Sequence, residues 1–160
     1  MIFTDILNRE WKCQCIGCSI ASGEIVTPGG MIAETKNFRL DQDPEIPLKG
    51  FLIIASKSHI RSIAELNSEK SQELFDLVYR ARIALKSIED IKGVTIIQEE
   101  RSGHFHVWLL PRYEWMDERF ENSLSTVREV MNYSKNNLKS EVNLENVLSA
   151  VVHIRNIINN

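Results

Sequence analysis

The sequence predicts an α+β fold: an antiparallel β-sheet with a long packing helix, plus two helices at the C-terminal end. Three observations carry this. Phe51-Leu52-Ile53-Ile54-Ala55 is a continuous apolar run of the kind found in central strands. Val94-Thr95-Ile96-Ile97-Gln98 and the Phe-, Val- and Leu-rich stretch 104–110 are strands separated by the short segment 99–102, so they pair antiparallel. Between the first run and these two, Leu74, Leu77, Val78, Ala81, Leu85 and Ile88 recur at intervals of three and four, one face of an amphipathic helix.

Taken in order, residues 3–10 place Phe3, Ile6 and Leu7 on one stripe and predict a short helix. The turn formers Ala21-Ser22-Gly23 and Pro28-Gly29-Gly30 follow. Residues 31–35 and 38–41 are two short strands around Lys36-Asn37, a hairpin. Residues 43–50, with Pro44, Pro47 and Gly50, form a loop that delivers the chain into the central strand. The long helix starts at Asn67 or Ser68 and runs to about Ile88. Pro111 should stop the strand at 104–110, since it cannot donate to a ladder. Phe120, Leu124, Val127 and Met131 predict one helix; Leu144, Val147, Leu148, Val151, Ile154 and Ile158 predict another, capped by Asn143. With no internal repeat, residues 1–160 read as a single domain, its core at about 12–116 and a helical extension at about 117–160.

The chain of 160 residues is long enough to bury a core without disulfides, and 43% hydrophobic with 26% charged residues is the composition of a folded domain. No apolar run reaches the roughly 18 residues of a membrane span, and the N-terminus lacks a basic region followed by an apolar one. The expectation is a cytoplasmic protein. A net charge of -3 with dispersed Lys and Arg gives no footprint for nucleic acid or an anionic membrane, leaving a small-molecule ligand.

Two features carry chemistry. Cys13, Cys15 and Cys18 crowd into six positions, which in a reducing compartment points to metal or redox chemistry, and the Cys15–Cys18 gap lets two thiolates grip one tetrahedral zinc. Incidental buried cysteines are the alternative. In the strand that follows Gly103, His104, His106, Trp108 and Leu110 face one side, and Phe105, Val107 and Leu109 the other. A strand-borne imidazole is a competent nucleophile toward phosphorus. The pattern alone leaves two other readings open, half-buried sheet histidines and metal ligands.

The run His104-Phe105-His106-Val107-Trp108-Leu109-Leu110-Pro111-Arg112 resembles the histidine-triad (HIT) signature, His-x-His-x-His followed by two apolar residues and often Pro-Arg. Three further segments are similar in order and spacing: Cys15-Ile16-Gly17-Cys18 with the following Gly23-Glu24-Ile25, Asp43-Pro44, and Lys57-Ser58-His59. The likeness spans residues 12–116 and implies a function. It makes His106 the residue that attacks the α-phosphorus of a nucleotide and becomes transiently nucleotidylated. Asp43 then accepts hydrogen bonds from ribose hydroxyls, and Gln98 lies where an amide contacts phosphate. The loop 99–102 is shorter and more acidic than the family's Gly-Gln-rich phosphate loop, with Arg101, Ser102 and the Gly103 amide as substitute donors. In the zinc-containing branch, Cys15 and Cys18 are completed by His59 and His104 as a closed, structural site, leaving Cys13 over.

The likeness fails at Trp108, which stands where the third histidine helps protonate the leaving group; indole donates one hydrogen bond but does not shuttle a proton at neutral pH. The related uridylyltransferases also lack that histidine. The implied function is therefore a nucleotide hydrolase or nucleotidyl transferase acting on a dinucleoside polyphosphate, nucleoside phosphoramidate or related ester, with Trp108 lining the substrate site. The alternatives are a nucleotide-binding protein of reduced turnover and a zinc-stabilised interaction module. Family members commonly form homodimers, and the apolar C-terminal helix suits such an interface.

Overall fold

A computed structural model describes residues 1–121 and 124–160. Its first element is a hairpin, β1 (Ile2–Thr4) paired with β2 (Glu10–Lys12), where a helix was expected. The reason is Asp5. Its carboxylate is buried and accepts four hydrogen bonds, from the Leu7 and Arg9 amides at 2.9 and 3.0 Å, Arg9 Nε at 2.7 Å and Trp11 Nε1 at 2.9 Å. These bonds define a turn that takes Asn8 to a φ of 61°, and a helix would break them. Burial pushes the Asp5 carboxyl up, but the bonds from Trp11 and Arg9 outweigh it and hold the group below its ordinary range.

Helix α1 (Ile16–Ser22) follows and ends at Gly23, whose φ of 83° closes the helix in the left-handed conformation. The chain then enters β3 (Ala33–Glu34), β4 (Phe38–Gln42) and β5 (Leu52–Ser56), the expected hairpin and central strand. Helix α2 (Ser68–Lys86) is capped by Asn67, whose side chain accepts the Lys70 amide at 2.9 Å. Strands β6 (Gly93–Gln98) and β7 (His106–Arg112) complete an antiparallel sheet in the order β3-β4-β5-β7-β6.

Strand β7 does not stop at Pro111. The Arg112 carbonyl accepts the Lys92 amide and so faces the β6 side, which turns Pro111 toward the β5 side. Pairing with β5 has already ended at Leu52 and Leu109, so no ladder bond is lost for want of a Pro N–H.

Among the described residues the C-terminal part holds three α-helices, α3 (Glu114–Arg119), α4 (Val127–Asn137) and α5 (Glu141–Asn159). The expected continuous helix through Phe120 is broken: Phe120 caps α3, and α4 begins only at Val127. Ser140, not Asn143, caps α5, accepting the Asn143 amide at 3.2 Å. No helix among the described residues is long and apolar enough to cross a membrane.

Each face of the sheet has its own core. On one, Phe38, Leu40, Leu52, Ile54, Phe105, Val107 and Leu109 pack against Leu77, Ala81 and Leu85 of α2 and Val151, Ile154 and Ile158 of α5. Burying one such Leu or Ile side chain is worth about 1.5–3 kcal/mol, so α5 is a structural part of the domain. Its apolar stripe, expected at a dimer interface, is spent inside the chain. On the other face, Phe51, Leu110, Tyr113 and Met116 pack with Val127, Val130 and Met131 of α4 over one end. The rest of that face is open, and the histidines lie there.

Candidate active site and metal centre

Cys15 and Cys18 at the start of α1, His59 just after β5, and His104 just before β7 converge, with all four ligand atoms within 4.8 Å of one another. Sγ of Cys15 lies 3.6 Å from His59 Nδ1 and 3.3 Å from His104 Nδ1. Sγ of Cys18 lies 3.3 and 3.6 Å from the same atoms, and the two Nδ1 atoms are 3.3 Å apart. A tetrahedral zinc with bonds of about 2.3 Å to sulfur and about 2.05 Å to nitrogen requires S···N edges of about 3.5 Å and an N···N edge of about 3.3 Å. The donor set, two sulfurs and two imidazoles, suits the same ion, and this is the ligand set expected from the sequence.

The surroundings hold the cluster in that form. His104 Nε2–H donates to the Ser56 carbonyl at 2.8 Å, fixing the tautomer that turns the Nδ1 lone pair toward the sulfurs. Burial pushes the His104 pKa below its ordinary value, against the Ser56 bond, which favours the neutral, ligating ring. Gly17 was missed as a site residue. A Cβ there would fall 2.4 Å from His104 Cδ2 and 2.6 Å from Cγ, so only glycine lets the knuckle close over the ring. A glycine between paired cysteines was the available signal. Cys13 stands apart, packed with Trp11 and Ile16 against the core of Phe3, Ile20 and Ile25.

Two residues along, His106 is held differently. Its Nδ1 is 3.0 Å from the His104 carbonyl, to which it donates, and 3.3 Å from Ser102 Oγ, which itself donates to that carbonyl at 3.0 Å. Nε2 is therefore the unprotonated nitrogen, and it is buried with no protein partner. Burial pushes the His106 pKa down, with the nearby Arg128 acting the same way and the His104 carbonyl and Glu99 opposing. The ring lies against Trp108, centroids 4.7 Å apart; Trp108 Nε1 is likewise buried without a partner.

The strand register sets the rest of the floor. Asp41 pairs with Ile53 and Ile53 with Trp108, while Ala55 pairs with His106, so these side chains share the open face. They floor a cleft of about 370 Å³, walled by Met1, Gln14, Ile16 and Ile20 on one side and Ser102 and Gly103 on the other. Asp43 lines it too. Its Oδ1 accepts the Glu45 and Ile46 amides at 2.9 and 3.0 Å, while no described residue donates to Oδ2. Burial pushes the Asp43 pKa up to about 6 against those two bonds. Asp41 was not foreseen. It is buried in the cleft floor, accepting Thr27 Oγ1 at 2.6 Å and Arg39 Nε and Nη2 at 2.8 and 3.0 Å. Its signal was an Arg and an Asp two apart on one strand face.

Of the residues expected at the site, Asp43, Ser102, His106 and Trp108 come together beside the four cluster residues, which the structure places at the cleft end. Gln98 does not join them. It pairs with Val107, a residue of the helix-covered face, and so points away from His106. The alternation along β6 decides this, because moving the register by one residue reverses every side chain.

No protein-family model matches the chain. It is 26% identical over 105 residues to "Protein hit" of Bacillus subtilis (strain 168), a match covering 62% of this chain and 71% of that protein. Among solved structures, it is similar to a HIT family protein from Bacillus anthracis (TM-score 0.58, 23% identity, 87% of this chain and 95% of that one). It is also similar to a Zn-bound histidine triad family protein from Mycobacterium smegmatis (TM-score 0.59, 16% identity, 87% and 94%). A third likeness is to a HIT family member from Bacillus subtilis (TM-score 0.59, 21% identity, 88% and 96%). The chain has the fold of the histidine-triad superfamily.

Proposed function

We propose that this protein is a HIT-type nucleotide hydrolase or nucleotidyl transferase whose nucleophile is His106. The observation that carries this is the state of that ring: Nδ1–H is committed to a backbone carbonyl, which leaves the Nε2 lone pair without a protein partner on a ring that lines the cleft, together with the carboxylate of Asp43. Asp43 Oδ2 would accept the hydroxyls of a ribose, orienting the nucleotide so that its α-phosphorus meets Nε2. Nε2 then forms an N–P bond as the bond to the leaving oxygen breaks, its electron pair departing with that oxygen. Water, or another acceptor hydroxyl, next attacks the same phosphorus. The N–P pair returns to Nε2, and the acceptor's proton is released to solvent. The Gly103 amide and Arg101 would be the donors to the phosphoryl oxygens, since the Ser102 hydroxyl donates to the His104 carbonyl.

Cys15, Cys18, His59 and His104 would hold zinc as a structural ion, which supplies no chemistry beyond fixing the backbone two residues before His106. For self-association we assign a different surface from α5. Phe75, Tyr79 and Ile83 are 71%, 59% and 47% exposed at intervals of four along α2, and Ile96 of the edge strand β6 is 51% exposed. Large apolar side chains on one helix stripe and on an edge strand suit a symmetric dimer.

A nucleotide-binding protein without turnover is the second reading, favoured by Trp108 at a position where a proton donor would be useful. Cleavage of dinucleoside tetraphosphate and of adenosine phosphoramidate, wild type against His106→Asn, separates the two. Loss of about 10³-fold or more in the variant is expected of a missing nucleophile. Identical rates would sink the enzyme, and nucleotide affinity on the same samples then tests the binding protein.

A further inference from the structure

We infer that Arg128, on helix α4 of the C-terminal extension, builds a polyphosphate leaving-group subsite beside His106, making phosphoanhydrides rather than phosphoramidates the substrate class. The inference rests on the nucleotidyl-transfer reading of His106 and goes beyond it to specificity.

A second cavity of about 440 Å³ adjoins the nucleotide cleft. Ser102, His106 and Trp108 line both spaces, so a phosphorus bound at His106 has room for one substituent on each side. The two spaces differ in charge. The nucleotide cleft carries Asp43 and Glu45 beside an Asp41 paired with Arg39, whereas the second cavity is lined by Arg101 and Arg128 against the single carboxylate of Glu99. Arg128 is held in place rather than free: Nη2 bonds Glu99 Oε1 at 2.7 Å and its guanidinium lies 5.6 Å from the Trp108 ring centroid. Its side chain stays 64% exposed, accessible to an anionic ligand.

Leaving-group chemistry gives this arrangement its meaning. An amine leaves from a phosphoramidate only if it gains a proton, and the indole at Trp108 cannot deliver one. A polyphosphate leaves from an α-phosphorus as an oxyanion that takes the P–O electron pair and needs countercharge instead of a proton. A planar guanidinium with paired donors supplies that countercharge. In this chain a fixed cation from α4 stands beside the position that lacks an acid.

The test uses the full-length protein and two measurements. In turnover, wild type should cleave dinucleoside tetraphosphate in preference to adenosine phosphoramidate, and Arg128→Gln should lower kcat/KM for the tetraphosphate about tenfold, the scale of one charge-assisted hydrogen bond, while changing any residual phosphoramidate cleavage less than about twofold. Arg128→Lys should recover part of the loss. An equal loss on both substrates, or none on the tetraphosphate, overturns the inference. In calorimetry, inorganic tripolyphosphate should bind wild type about tenfold tighter than Arg128→Gln at matched thermal stability. If wild type turns over neither substrate but binds tripolyphosphate through Arg128, the enzyme reading fails and the anion subsite stands. If Arg128→Gln leaves tripolyphosphate binding unchanged, the subsite is wrong whatever the turnover.

Discussion

Replacing Gly17 by Ala tests the metal centre through the sign of its effect. Gly17 lies within α1, and its φ is not among the positive ones, so alanine fits the backbone there. Judged on propensity alone, Gly→Ala in a helix interior stabilises by about 0.5–1 kcal/mol. The new Cβ, however, would sit 2.4 Å from His104 Cδ2, about 1 Å short of the 3.4 Å at which ordinary contact begins. The ring cannot step aside, because Nε2 is bonded to the Ser56 carbonyl and Nδ1 faces the cluster. Overpacking of this kind costs about 1–3 kcal/mol. A displacement of about 1 Å is also several times the roughly 0.2 Å tolerance of a metal–ligand bond. Gly17→Ala should therefore lower zinc affinity at least about tenfold in chelator competition and lower the Tm of the zinc-loaded protein by several degrees. A variant that binds zinc as tightly as wild type and melts at or above its Tm would refute the closure of the knuckle over His104.

Two further outcomes follow from the geometry. Asp43 has its folded pKa raised to about 6 from 3.8, so its contribution to stability is fully present below pH 3.8 and is lost as pH rises through about 6. Asp43→Asn keeps the acceptor for the Glu45 and Ile46 amides and removes the titration, so its stability relative to wild type should rise by about 3 kcal/mol between pH 3.5 and 7 in denaturant titrations; a difference independent of pH would contradict the buried carboxyl. For the exposed stripe on α2, Phe75→Glu with Tyr79→Glu should convert a dimer to monomer in light scattering at micromolar concentration, while a wild-type monomer would remove the assignment.

What the sequence made legible is uneven for physical reasons. Strands β5, β6 and β7 and helix α2 are driven by apolar periodicity, and their positions follow from it to within a residue or two. The N-terminal hairpin depends instead on one carboxylate gathering donors from Leu7, Arg9 and Trp11, a polar pattern with no period, so Phe3, Ile6 and Leu7 mimicked a helix stripe. Gln98 failed on register. The segment joining β6 to β7 was visible, but the pairing that puts Gln98 opposite Val107 is set by tertiary contacts. The cysteine pair was readable from spacing, whereas His59 and His104 entered through resemblance, being 41 and 86 residues from Cys18. Arg128 lies beyond the resembling region, and the packing of α4 over one end of the histidine-bearing face brings it near His106.

The placement of the four-ligand cluster gives the domain two tiers of order. The core beneath α2 and α5 contains no residue before Ile32, so the apolar packing under the sheet does not draw on the N-terminal segment. That segment has only a small core of its own around Phe3, Ile20 and Ile25, yet Met1, Gln14, Ile16 and Ile20 form one side of the cleft. Ligation by His59 and His104 would pin this side to the sheet as a bolt pins a door. Metal release would then loosen the door while the frame stayed shut, coupling local metal availability to the integrity of the binding cleft instead of to global unfolding.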